Sequence, residues 1–149
     1  MMLPIVKKNL GQGLLELIIA LGIAAFIIVA LVQTMVTGAK NTRFAKNQTL
    51  ATRFAQEGVE KIRNLRDTLG WALFFNTYNG ITTCVGEGTP DTWTVILPCP
   101  ANIDNFFTRK VVFNDSGDPG NTVAVNVTVT WIDNDGTHKS EQNTELTRW

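Results

Sequence analysis

Few side chains in this sequence have types and spacings that do chemistry. The single histidine, His138, lies in a polar alternating stretch beside a turn, a place better suited to a surface residue than to a general base. No G-x-S-x-G, no phosphate-cradling glycine loop and no H-E-x-x-H is present, so the chain reads as a non-enzyme with no cofactor. Cys84 and Cys99 stand 15 residues apart, without a C-x-x-C. Structural zinc wants a full set of nitrogen or sulfur ligands, and no metal site is expected there. The pair forms a disulfide if this part of the chain is exported, and otherwise makes two buried thiols. Acidic turns at Asp115–Asp118 and Asp133–Asp135 offer oxygen ligands of the kind calcium uses, without EF-hand spacing. Asp, Asn and Gly are also what turns need for themselves.

The most misplaced group is a carboxylate. Glu16 stands near the start of Gly13–Val36, which is otherwise apolar except for Gln33 and Thr34. Those 24 residues make about 36 Å of helix at about 1.5 Å per residue. A bilayer core is about 30 Å thick. A carboxylate inside it costs roughly 2.5 to 3.5 kcal/mol when central, and less near the interface. A plain signal anchor explains the length and the preceding Lys7 and Lys8, but not Glu16. A removable secretory signal would need a cut near Thr37-Gly38-Ala39, and would waste a helical pattern that continues past it.

That pattern defines the element carrying Glu16. Ala51, Ala55, Gly58, Ile62, Leu65 and Leu69 recur at alternating spacings of four and three, one apolar stripe on a helix. Glu57 with Lys61, and Arg63 with Asp67, are expected i,i+4 ion pairs. No proline interrupts the chain between Pro4 and Pro90. The spacing predicts one helix from Leu14 to Leu69, stopped by Gly70. Residues 70–91 read as loop, with Trp71, Phe74 and Phe75 tucked into a core.

Strand patterns follow. Thr92–Leu97 places Trp93, Val95 and Leu97 on one face. Phe106–Phe113 places Phe107, Val111 and Phe113 on one face. Thr122–Ile132 alternates most cleanly, with Val123, Val125, Val127, Val129 and Trp131 on one side. Asp133-Asn134-Asp135-Gly136 is a turn, and His138–Trp149 is a polar edge strand. The fold class is α+β: three or four antiparallel strands with one apolar face, covered by the helical stripe.

Formal net charge is +0, which argues against direct nucleic-acid binding. The balance hides an asymmetry. Lys40–Arg66 holds seven basic and two acidic residues, whereas Asp67–Trp149 holds ten acidic and four basic ones. Such a basic stalk and acidic body either attract each other between copies or are simply solvated.

Gly11-Gln12-Gly13-Leu14-Leu15-Glu16, behind a short basic leader and ahead of a long apolar helix, resembles the class III signal of type IV prepilins and type II secretion pseudopilins. The stretch Ala55-Gln56-Glu57-Gly58-Val59-Glu60 and the closing Thr128–Trp131 and Leu146–Trp149 look like those of minor pilins with a C-terminal hairpin. The resemblance implies cleavage between Gly11 and Gln12 by a prepilin peptidase that also methylates Gln12, with Glu16 as an assembly residue and Lys7 and Lys8 as leader charges. It implies a leader at 1–11, a transmembrane and assembly half-helix at 12–36, an amphipathic half at 37–69 and a β-sheet head at 70–149. The partners it implies are further copies and other pilins in a filament, the peptidase, an inner-membrane assembly platform and membrane lipid. The location it implies is the cytoplasmic membrane, C-terminus exported, and then a pilus or pseudopilus. This chain departs from the family in starting its mature form with glutamine, and in having Gln33 and Thr34 where many members have a helix-kinking proline. Its cysteines also do not straddle the last strands. The competing expectation is a membrane-anchored or secreted binding domain that never polymerises.

Overall fold

The computed structural model describes residues 10–89, 93–95, 97–116, 118 and 120–148, with side chains from residue 13 onward. The chain divides into two compact units, Met1–Phe44 and Ala45–Trp149. In the first, the described residues are all helix. The second holds the rest of that helix, a short helix and a four-stranded antiparallel sheet, the α+β arrangement expected from the sequence.

Helix α1 spans Leu10–Leu69, 60 residues, starting four residues before the expected Leu14. It stops where expected. Gly70 adopts φ 74°, a left-handed value that glycine takes without a Cβ penalty, and its N–H still donates to the Arg66 carbonyl. The following segment is not loop. Trp71–Tyr78 forms helix α2. Its apolar residues Trp71, Phe74, Phe75 and Tyr78 fall at i, i+3, i+4 and i+7, so one face turns inward. Phe74 is fully buried, edge-on to Phe113 at 5.9 Å.

Strands β1 (Thr82–Cys84), β2 (Thr108–Asp115), β3 (Thr122–Asp133) and β4 (Gly136–Thr147) lie in the order β1-β2-β3-β4. Strand β1 falls inside the segment read as loop. The strand expected at Thr92–Leu97 is not formed in its described part. Thr94 makes a single bridge to Cys84, while Val95 and Leu97 are exposed; Thr92 and Ile96 lie outside the described residues. With only three residues in β1, the neighbouring edge offers little ladder, and Pro98 and Pro100 supply no donors to extend one.

The other strands keep their expected faces. Register pairs Val111 with Val127 and Phe113 with Val125, and Val123 with Leu146 on the far side. Each of these residues is buried. Burying one such side chain contributes about 1.5 to 3 kcal/mol. Strand β3 joins β4 through a tight turn closed by the Asp133–Gly136 pair, with Gly136 at φ 127°. Strand β4 is the expected edge; Trp149 lies outside the described residues.

The helical stripe covers this sheet. Ala51, Ala55 and Ile62 are 0% exposed and Leu65 6%. Gly58 explains the close approach. A Cβ there would stand 2.8 Å from Val127 Cγ1 and 2.9 Å from Arg109 Cδ, too near for either to tolerate unmoved.

Candidate functional site

The first unit carries Glu16 and the apolar run. Every residue from Gly13 to Phe44 is exposed. Leu14, Leu15, Leu17, Ile23 and Ile27 are exposed and point to all sides of the helix axis, and Phe26 is 79% exposed. A helix that is apolar on all sides needs an apolar medium or close-packed neighbours. α1 is long and apolar enough to cross a membrane. Its hydroxyls are compatible with that medium. Thr34 Oγ1 donates to the Leu31 carbonyl at 2.7 Å, and Thr37 Oγ1 to the Gln33 carbonyl at 3.0 Å. Both are satisfied by the helix's own backbone.

The Gly11–Gln12 peptide lies in the first turn of α1, and Glu16 is exposed one turn further on. Residues four apart on a helix are neighbours, so a charge at Gln12 and the Glu16 carboxylate fall on one face. Lys7 and Lys8 lie outside the described residues.

In the second unit Cys84 and Cys99 form a disulfide, Sγ–Sγ 1.98 Å, with Cα atoms 5.5 Å apart. Of the two states left open by the spacing, the oxidised one is present. The bridge closes the loop after β1. The same loop is held at its start by two cations from other elements. Arg109 Nε donates to the Val85 carbonyl at 2.9 Å, and one terminal nitrogen to the Gly86 carbonyl at 2.7 Å. The other terminal nitrogen donates to the Phe54 carbonyl of α1 at 2.8 Å. Lys61 Nζ reaches the Gly86 and Glu87 carbonyls at 3.1 and 2.9 Å. Glu57 stands 3.2 Å from Lys61 and 3.6 Å from Arg109.

Arg109 is 0% exposed, and burial pushes its guanidinium below its usual range, opposed by the charge and hydrogen bond of Glu57. A buried charge with each of its three nitrogens donating to a backbone carbonyl ties sheet, helix and loop together. Sequence reasoning missed it, although its parity with Phe107, Val111 and Phe113 places it inward. The expected Glu57–Lys61 pair is present, but the expected Arg63–Asp67 pair is exchanged for two others. Arg63 contacts Glu60 at 2.7 Å rather than Asp67, and Asp67 pairs with Arg66 at 2.8 Å. One helical turn offers several partners at equal cost, and exposed pairs discriminate little.

The acidic turns are occupied by their own chain. The Asp133 carboxylate accepts from the Asp135 N–H at 2.9 Å and sits 2.8 Å from His138 Nε2. That contact, chiefly, holds the Asp133 carboxyl below the usual carboxylate range. His138 also stacks on Trp131, centroids 5.3 Å apart. Asp118 accepts from Asn121. Among the described residues, no three His, Cys, Asp or Glu side chains gather as a metal would require. No family model, curated protein or solved structure matches this chain.

Proposed function

We propose that this chain is a pilin-like structural subunit, made as a membrane-anchored precursor, cut between Gly11 and Gln12, and assembled into a pilus or pseudopilus through packing of its N-terminal helix. The observation that carries this reading is a fully exposed apolar helix interrupted at its start by one carboxylate, continuous with a helix that covers a disulfide-bridged sheet. A simple anchor has no use for Glu16. An assembly helix does. Cleavage frees a cationic amine on Gln12, and within one subunit Glu16 partly neutralises it. Between subunits, with apolar walls excluding water, the amine of an incoming copy meets the Glu16 of a copy already in place. An unpaired charge there is heavily penalised, so the pairing fixes axial register while the Leu, Ile, Ala and Val side chains supply most of the adhesion. The role is structural, and its partners are further copies, related pilins, a prepilin peptidase and an assembly platform in the membrane.

The mass of the mature N-terminal peptide tests the reading directly. Methylated Gln12 is expected. A start at Lys40 would instead indicate a secreted domain, and a start at Met1 or Met2 an uncleaved anchor. Glu16→Ala tests the assembly role. It makes the segment more apolar, so membrane levels and cleavage should hold while sheared filaments counted by electron microscopy fall severely. Undiminished filament numbers with Glu16→Ala as the sole copy would sink the register role.

A further inference from the structure

Arg109, Lys61 and the Cys84–Cys99 bridge hold one loop against α1, and that loop closes a cavity of about 440 Å³. Small-molecule sites run from about 300 to 1,000 Å³. On α1 the lining residues include Glu57, Glu60, Asn64 and Thr68, spaced three or four apart and therefore on one face. Leu65 lies beside them, and the loop contributes Gly88 and Trp93.

The charges around the cavity are already matched. Glu57 stands 3.2 Å from Lys61 and 3.6 Å from Arg109, and Glu60 2.7 Å from Arg63. An anion would meet two carboxylates, and a cation would have to displace cations already in place. The hydrogen-bonding groups that remain are of both kinds. Asn64 Oδ1 accepts from Thr68 Oγ1 at 3.1 Å, which leaves the amide N–H groups to donate. The Glu60 carboxylate has lone pairs left to accept. Trp93 adds an aromatic ring, half-buried on the core. Its indole N–H is buried with no acceptor among the described residues. Such an orphan is costly, and a phenyl ring would avoid it. The tryptophan therefore calls for a role that packing alone does not give it.

We infer that this cavity binds a neutral sugar unit, one C–H face of the ring lying on Trp93 and Leu65 and the hydroxyls meeting Glu60, Asn64 and Thr68. A hydroxyl both donates and accepts, which suits a rim of carboxylate, amide and hydroxyl groups. A purely apolar guest would cover that rim without giving it partners. The covalent closure of the loop and the two cations that grip it keep the aromatic wall in place before a ligand arrives, which lowers the ordering cost of binding. The site is separate from Glu16 and needs no polymerisation, so it goes beyond the filament reading and does not rest on it.

The test uses the full chain in phosphatidylcholine nanodiscs, because glycoside detergents would compete for the site. Glucose, galactose, mannose and N-acetylglucosamine are the probes, one at a time, and saturation-transfer difference NMR reads their ring protons. At least one should bind saturably, with a Kd of about 1 to 10 mM. Trp93→Phe should keep the thermal midpoint and weaken that binding about threefold, and Trp93→Ala should weaken it about tenfold. Asn64→Ala and Thr68→Val, both exposed on the helix, should weaken it about three- to tenfold with the fold intact. Lys139→Gln, exposed on β4, should leave it unchanged. The two helix variants keep the test decisive if Trp93→Ala fails to fold. Saturable binding of none of the four sugars overturns the site. So does binding that Asn64→Ala and Trp93→Phe both leave unweakened. Glucuronate or cyclohexanol binding as tightly as the best neutral sugar overturns the sugar assignment, since charge or apolar contact alone would then suffice. None of these outcomes touches the filament reading, which the mass of the N-terminal peptide decides.

Discussion

From Gly13 to Val36, α1 carries large apolar side chains on every face and all are exposed, whereas from Ala51 to Leu65 the same helix narrows to one stripe of small and medium residues that the sheet covers. The first stretch holds one carboxylate and satisfies its hydroxyls on its own backbone. The second reaches outward, with Glu57, Lys61 and the Phe54 carbonyl all engaged by groups from other elements. The contrast shows that helix continuity and helix environment are separate properties. Hydrogen bonds along the backbone carry the helix through both regions. What surrounds it is set by the width of the apolar surface: an all-round surface asks for lipid or sister helices, and a stripe asks for one sheet.

If the second region is held by a buried cation, removing that cation should be the most damaging change. Arg109→Ala leaves a cavity, the Val85 carbonyl without its side-chain donor, the Gly86 carbonyl with Lys61 alone, and Glu57 without one of its partners. A loss of about 3 to 5 kcal/mol is expected, read as a large drop in the thermal midpoint of near-ultraviolet circular dichroism of the full chain in detergent. Phe26→Ala, in the exposed region, should leave the same midpoint unmoved. Equal effects of the two would erase the contrast.

The loop that Arg109 grips is also closed covalently. A bridge spanning 15 residues should stabilise by about 3 kcal/mol on the chain-entropy model, and often less. Cys84→Ser should lower the midpoint by a corresponding amount, and reductant should do the same to the unmutated chain but nothing further to the variant. Gly58→Ala sharpens the comparison from the helix side. Overpacking against Val127 and Arg109 costs typically 1 to 3 kcal/mol. Better helix propensity returns up to about 1 kcal/mol. A net loss of about 1 to 2 kcal/mol is expected at Gly58, whereas Gly22→Ala, with open space around its Cβ, should not destabilise at all.

The smallest effect concerns acid. The folded-state value of Asp133 is depressed, so its stabilisation is present above the ordinary value of 3.8 and disappears as pH falls through the lower folded one. Asp133→Asn should therefore show a shallower fall in midpoint between about pH 5 and pH 3 than the unmutated chain. Parallel pH profiles would show that the His138 contact carries no linkage.

Long-range order along one element was legible in the sequence. The run of spacings from Ala51 to Leu69 located the buried stripe, Gly70 its stop, and the alternation from Val123 to Trp131 the central strand, because each repeats a local period many times. Short elements were not. Trp71–Tyr78 has helical spacing over barely two turns, too few to outweigh the Gly, Thr and Asn that follow, and it is fixed by packing of Phe74 and Tyr78 on Phe113. Val95 and Leu97 alternate like a buried strand, yet no sheet edge extends far enough to pair with them.

The sequence by itself determined the apolar length of the N-terminal helix, the isolation of Glu16 within it, the all-basic stretch beyond it and the inward faces of β2 and β3. These depend only on residue order and on the fixed periods of helix and strand. Tertiary structure alone decided that Arg109 could occupy an inward position, that Lys61 would turn to the loop as well as to Glu57, and that the two cysteines would meet. A buried guanidinium is stable only where oxygens from distant segments converge on it, and convergence in space is not written in the spacing of any one segment.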